Sequence, residues 1–140
     1  MKKQNYSRKR EAILQTLRAT KMHPTAEWVY QHLKTAFPDL SMGTVYRNLS
    51  LFKQEGLIAS VGIVNGQERF DGNITPHTHF VCLNCGIVQD SGPFPTEEVA
   101  RVSQKYGVTV LTEQVLYYGY CSDCEEKRRR AERLPEKKEA

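Results

Sequence analysis

Ser41-Met42-Gly43-Thr44-Val45-Tyr46-Arg47-Asn48-Leu49-Ser50-Leu51-Phe52-Lys53-Gln54-Glu55-Gly56 carries the periodicity that decides the first half of the chain. Met42, Val45, Leu49 and Phe52 recur at intervals of three and four, so they line one side of a helix expected from about Met42 to Gln54. Ser41 can cap its start by accepting from an amide left without a partner in the first turn, and Gly56 supplies a stop. The other side presents Gly43, Thr44, Tyr46, Arg47, Ser50 and Lys53, a polar set with one aromatic and two cations. Taken alone, such a face suits any solvated helix.

Its neighbours sharpen the reading. Upstream, a helix is expected from about Arg8 to Ala19 behind Ser7 as cap, with Ile13, Leu14 and Leu17 on one face. A second is expected from about Thr25 to Ala36, entered at Pro24, lined by Trp28, Val29 and Leu33, and ended by Pro38. Downstream, Leu57-Ile58-Ala59-Ser60-Val61 and a strand ending Glu68-Arg69-Phe70-Asp71 flank Asn65-Gly66, a hairpin turn signal. Three helices followed by a β-hairpin make a winged helix-turn-helix, with the third helix in the reading position. On that helix Arg47 can pair with guanine or a phosphate, and Tyr46 can pack on a thymine methyl. Thr44, Ser50 and Lys53 can reach the DNA backbone.

The second half has a different texture. A strand near residues 79–81 and another over Ile87-Val88-Gln89-Asp90 precede a helix opened by Pro95-Thr96-Glu97-Glu98, with Thr96 as cap, running to about Tyr106. After Gly107, residues 108–120 are rich in β-branched and aromatic side chains and are read as one long strand. An apolar strand at a sheet edge invites pairing with a second copy, so a homodimer is expected. The fold class is α+β: a winged-helix domain over residues 1–72, a small α/β dimerisation domain over 73–124 and a charged tail over 125–140, helical from about Glu125 to Arg133.

Charge divides along the same line. Residues 1–72 carry a net +5, residues 73–124 a net −3 and residues 125–140 a net +2, within a total of +4 over 140 residues. A basic first half is suited to a polyanion. No apolar run approaches the roughly 20 residues of a membrane helix, and the start, Met1-Lys2-Lys3-Gln4-Asn5-Tyr6, lacks the apolar core of a signal peptide, so a cytoplasmic location is expected.

In that reducing compartment the four cysteines, Cys82-x-x-Cys85 and Cys121-x-x-Cys124, read first as metal ligands. Each pair sets two sulfurs on a tight turn, and four thiolates complete the tetrahedron that zinc takes in structural sites. Disulfides or a redox pair are the alternative. Thioredoxin-type chemistry is disfavoured because neither pair is expected to open a helix after a strand in a βαβ pattern.

A harder donor set surrounds the first pair. His77 and His79 alternate on one strand and so share a face, and Asp90 can come alongside on the next strand. Asp71 ends the hairpin, and His23 precedes the second helix in Met22-His23-Pro24-Thr25. Each has a plain alternative: His23 and Asp71 as cap or turn residues, and a lone histidine is more often structural than ligating. His32 reads as a solvated helix residue and is left out.

The stretches His23-Pro24-Thr25-Ala26, residues 41–49, Arg69-Phe70-Asp71, His77-Thr78-His79, Cys82-Leu83-Asn84-Cys85-Gly86 and Cys121-Ser122-Asp123-Cys124 together resemble the ferric uptake regulator family. The likeness covers about residues 7 to 124 and is nearest to the family's peroxide-sensing repressors. It implies a dimeric, metal-dependent repressor that binds double-stranded DNA and is not an enzyme. It also implies structural zinc on the four cysteines and regulatory iron(II) or manganese(II) on His23, Asp71, His77, His79 and Asp90. The iron-sensing branch usually carries glutamate at the position of Asp90. Peroxide oxidation of His23 or His77 is implied as the signal that ends repression. Family members usually carry a further helix ahead of helix one; its DNA contacts are either absent here or fall to Lys2, Lys3, Arg8, Lys9 and Arg10. Two other functions stay open at this point: an iron, manganese or zinc uptake regulator of the same fold without peroxide chemistry, and a cytosolic C-x-x-C thiol-disulfide oxidoreductase.

Overall fold

A computed structural model describes residues 2–93 and 97–133 of the chain, with side chains from Arg8 onward. The polypeptide divides into two compact units, Met1–His77 and Thr78–Ala140.

The first unit is built on helices α1 (Lys2–Ala19), α2 (Ala26–Leu33) and α3 (Met42–Gln54), followed by strands β1 (Ala59–Val64) and β2 (Gln67–Asp71). Helix α3 matches the sequence reading end to end. Ser41 Oγ accepts from the Thr44 amide, and Val45, Leu49 and Phe52 are buried while Met42 is half-buried. Thr25 caps α2 in the same way, accepting from Trp28, and each such cap is worth about 1 kcal/mol. Helix α2 ends at Leu33, earlier than expected, and turns over residues 34–36 carry the chain toward Pro38.

Two local readings differ from the outcome. Ser7 does not cap α1; the helix runs back to Lys2, because Lys2, Lys3 and Gln4 are good helix formers and extending a helix is easier than starting one. The hairpin strand starts at Ala59 rather than Leu57, since Leu57 closes the turn after α3 through its amide bond to Phe52 O. Asn65 and Gly66 both take positive φ, 52° and 81°, as a two-residue hairpin turn of the predicted kind requires. The strands pair antiparallel from Ala59↔Asp71 to Val64↔Gln67 with an irregularity at Ser60/Gly62. One core joins the three helices to the hairpin: Ile13, Leu14 and Leu17 of α1, Val29 and Leu33 of α2, Val45, Leu49 and Phe52 of α3, then Ile58 and Phe70.

The second unit holds a three-stranded sheet in the order β4-β3-β5, from β3 (His77–Cys82), β4 (Val88–Pro93) and β5 (Leu116–Gly119), with helices α4 (Glu98–Tyr106) and α5 (Ser122–Arg133). Strands β3 and β5 run parallel, His79 opposite Leu116 and Cys82 opposite Gly119. Thr96, expected to cap α4, lies outside the described residues; the helix ends at Gly107 in the left-handed conformation, φ 63°. The long strand expected over 108–120 is reduced to Leu116–Gly119. A strand needs a ladder, and in the single chain β3 reaches β5 only from Leu116 onward; Leu111 is left 90% exposed. Helix α5 starts at Ser122, before the expected Glu125, so the second cysteine pair opens a helix after β5; no strand follows it among the described residues, and the pair does not sit in a βαβ pattern. Its solvent-screened Glu125–Arg129 and Glu126–Arg130 pairs, at 3.0 and 2.7 Å, add little to its stability.

Candidate metal centres and nucleic-acid face

The parallel register of β3 and β5 explains why the cysteines meet. Cys82 ends β3 and Cys121 follows β5, so both pairs leave the same end of adjacent strands. The first pair forms a tight knuckle: Gly86, at φ 75°, donates to Cys82 O at 3.0 Å, and the Cys85 amide faces Cys82 Sγ at 3.5 Å. One sulfur from each of Cys82, Cys85, Cys121 and Cys124 lies within 4.8 Å of the others, and Cys85 Sγ is 3.8 Å from Cys121 Sγ. Four Zn–S bonds of ~2.3 Å in a tetrahedron set neighbouring sulfurs about 3.8 Å apart, so the donor set fits zinc. No disulfide joins them.

Electrostatics at this cluster point the same way. Backbone amides of Cys121, Cys85 and Asn84 hold the Cys82 thiol down to about 6, favouring its thiolate. At Cys85 the Ile87 amide also lowers the value, but desolvation and the thiols of Cys82, Cys121 and Cys124 outweigh it and push the thiol up to about 11. Four sulfurs this close cannot all ionise without a cation among them. Asn84, which the sequence reading did not single out, donates from Nδ2 to Cys124 Sγ at 3.3 Å.

The histidines and aspartates fall into two groups, one in each unit. In the first unit, Asp71 Oδ2 lies 2.8 Å from His77 Nε2 and 3.3 Å from His23 Nε2. His77 Nδ1 lies 2.6 Å from Thr75 O, an acceptor, so Nδ1 donates there, while Nε2 faces the carboxylate at 2.8 Å. Such a pair is satisfied by a second proton on the imidazole or by a metal ion that both atoms ligate. Cis donors on an octahedral ion at about 2.1 Å are about 3 Å apart, so this group fits a divalent metal of the harder kind. In the second unit, His79 Nε2 lies 3.5 Å from Asp90 Oδ1, across the neighbouring strands β3 and β4. Thr78, between the two histidines, bonds Ser91 Oγ at 2.7 Å and accepts no share in the donor sets.

His23 holds an unusual backbone. It is 2% exposed and sits at φ 54°, a region that residues other than glycine rarely enter. The Arg69 guanidinium donates to the carbonyls of His23 and, at 2.8 Å, Met22, while Phe70 N–H donates to Pro24 O at 3.0 Å. No local sequence signal marks these bonds, which span 46 and 47 residues.

On helix α3, Tyr46, Arg47 and Ser50 are exposed, and Arg47 donates to Thr44 Oγ1 at 3.2 Å. Lys53 is tied to the hairpin by Glu68 at 2.9 Å. Three cations of α1 have partners inside the unit: Arg8 lies over Phe37, Lys9 pairs with Asp39 at 2.9 Å, and Arg10 pairs with Glu55 at 2.7 Å. The outward face of α3 thus presents Tyr46, Arg47 and Ser50 to solvent.

Comparison with known proteins agrees with this anatomy. The peroxide-responsive repressor PerR of Staphylococcus saprophyticus is 35% identical over 119 residues, 84% of this chain and 80% of that protein. The crystal structure of the Campylobacter jejuni peroxide stress regulator superposes with a TM-score of 0.75 at 27% identity, covering 85% of this chain and 90% of that one. The Vibrio cholerae ferric uptake regulator, whose structure reveals rearrangement of its DNA-binding domains, gives 0.64 at 28% identity over 81% and 88% of the two chains. A family profile, that of the Ferric uptake regulator family, matches residues 2–118. The chain therefore belongs to the ferric uptake regulator family.

Proposed function

We propose that this chain is a homodimeric, DNA-binding repressor that senses peroxide through a regulatory iron(II) or manganese(II) ion. The observation that carries the reading is the meeting of His23, Asp71 and His77, donors from a turn, a strand end and the first residue of β3. In this reading His79 and Asp90 complete the set. Binding then favours the DNA-competent state, and in a dimer that state sets the spacing of the two α3 helices against successive major grooves. Relatives named for peroxide response support the choice within the family.

Iron(II) held by these three imidazoles and two carboxylates would supply the redox chemistry that cleaves peroxide, and manganese(II) would supply little of it. The chain's own part would be at a ring carbon of His23 or His77: that carbon gains a bond to one peroxide oxygen, its hydrogen moves to a ring nitrogen, and the other oxygen leaves as water, so the histidine is oxidised by two electrons and the peroxide reduced by two. A modified imidazole is a poorer donor, so the ion is lost and repression ends. Structural zinc on Cys82, Cys85, Cys121 and Cys124 holds the second unit throughout. No helix among the described residues is long and apolar enough to cross a membrane, and the proposal places the protein in the cytoplasm. Family membership sets aside the thiol-disulfide oxidoreductase.

The deciding experiment is mass spectrometry of the iron-loaded protein after a brief peroxide pulse. One added oxygen on the peptide holding His23 or His77 is the expected result. Unmodified histidines with intact metal-dependent DNA binding would instead make it an uptake regulator of the same fold.

A further inference from the structure

We infer that Arg69 is a positioning residue for the regulatory ion, acting by fixing the backbone of His23. The carbonyl of Met22 belongs to the peptide plane before the His23 Cα, and the carbonyl of His23 to the plane after it. Arg69 bonds both. Two planes held by one rigid, planar fork leave φ and ψ of the residue between them little freedom.

His23 needs such a hold. Its φ of 54° is disfavoured for any residue with a Cβ, and the residue before a proline is further biased toward extended backbone. Left to local preference, the Met22-His23-Pro24 turn would relax to negative φ and swing the imidazole away from Asp71 Oδ2, now 3.3 Å from its Nε2. The neighbouring bond from Phe70 N–H to Pro24 O anchors the far side of the turn to β2, and Asp71 follows directly on that strand. Arg69, Phe70 and Asp71 thus connect the carboxylate and the imidazole through consecutive residues. Lysine would keep the charge but offers a single nitrogen in place of the fork.

The inference rests on reading His23 as a ligand, and a double-mutant cycle separates the two claims. Anaerobic manganese(II) titration of the zinc-loaded protein, followed by electron paramagnetic resonance, is carried out on the parent, H23A, R69M and the double variant. Zinc content and the thermal midpoint without manganese are recorded for each. R69M is expected to weaken manganese binding ~10–100-fold, the range for groups that orient a ligand, yet to change it less than about threefold in the H23A background. R69K should resemble R69M. Equal manganese affinity in parent and R69M, or the same loss in both backgrounds, overturns the role of Arg69. Parental affinity in H23A overturns the ligand reading itself. Should R69M fail to retain zinc or fold, the cycle is read with R69K, and failure of both makes the arginine a folding residue and ends the proposal.

Discussion

Cys85 Sγ and Cys121 Sγ stand 3.8 Å apart although they lie 36 positions apart along the chain. That distance is the edge of a tetrahedron around zinc, and it arises because β3 and β5 are parallel and in register at Cys82 and Gly119. Removing the ion should therefore release the end of the chain from the start of its own unit. Titration with a thiol reagent is expected to find no reactive cysteine in the zinc-loaded protein and all four after a chelator. Cys82→Ser should lose zinc and lower the melting temperature, because structural zinc binding is coupled to folding. Free thiols before chelation would argue against the site.

His23→Ala removes a donor but none of the core that links α1, α2 and α3. Zinc content and dimerisation should persist, while manganese-dependent operator binding falls by more than about a hundredfold, beyond the ~10–100-fold that loss of an outer partner costs. Gel-shift titration with and without manganese reads this directly. A variant that still responds to manganese and peroxide as the parent does would exclude His23 from the regulatory set.

The dimer proposal can be tested at Leu111, 90% exposed in the single chain and set in the irregular stretch before β5. A charge there stays in solvent in the single chain, so Leu111→Asp should leave monomer folding within about 0.5 kcal/mol, as surface changes do. If residues 108–115 pair with a second copy, the same change buries a carboxylate at the interface and shifts sedimentation toward monomer at micromolar concentration. An unchanged dimer would place the interface elsewhere.

How much of this was legible in the sequence depends on how local each cause is. Helix α3 was readable from Ser41 to Gln54 because its stripe, cap and stop all lie within the segment. The Asn65-Gly66 turn was readable for the same reason. The four cysteines announced themselves by spacing, and His77 with His79 by alternation on a strand. The shortened β5 was not foreseen, since its extent depends on where β3, far away in sequence, offers a partner. The start of α1 at Lys2 was missed because a capping signal at Ser7 competes with helix-forming residues ahead of it. Arg69 carries no local signal of its role; its bonds to the carbonyls of Met22 and His23 exist only once the hairpin is folded against the start of α2.

Gly72 supplies a last test, because it couples packing to the regulatory donors. A Cβ built on it would come within 2.8 Å of the Arg18 Cα and N and the Leu17 carbonyl carbon, all backbone atoms of α1. Backbone cannot swing aside as a side chain can, so Gly72→Ala must push α1 and the end of β2 apart. Overpacking of this kind costs roughly 1–3 kcal/mol. Asp71, the residue before it and the shared partner of His23 and His77, moves with the strand end. The expected outcome is a melting transition of the first unit lowered by about 4–8 °C per kcal/mol, with weakened manganese binding and undiminished zinc. Gly72→Ala that melts and binds manganese like the parent would show that α1 does not sit against this glycine.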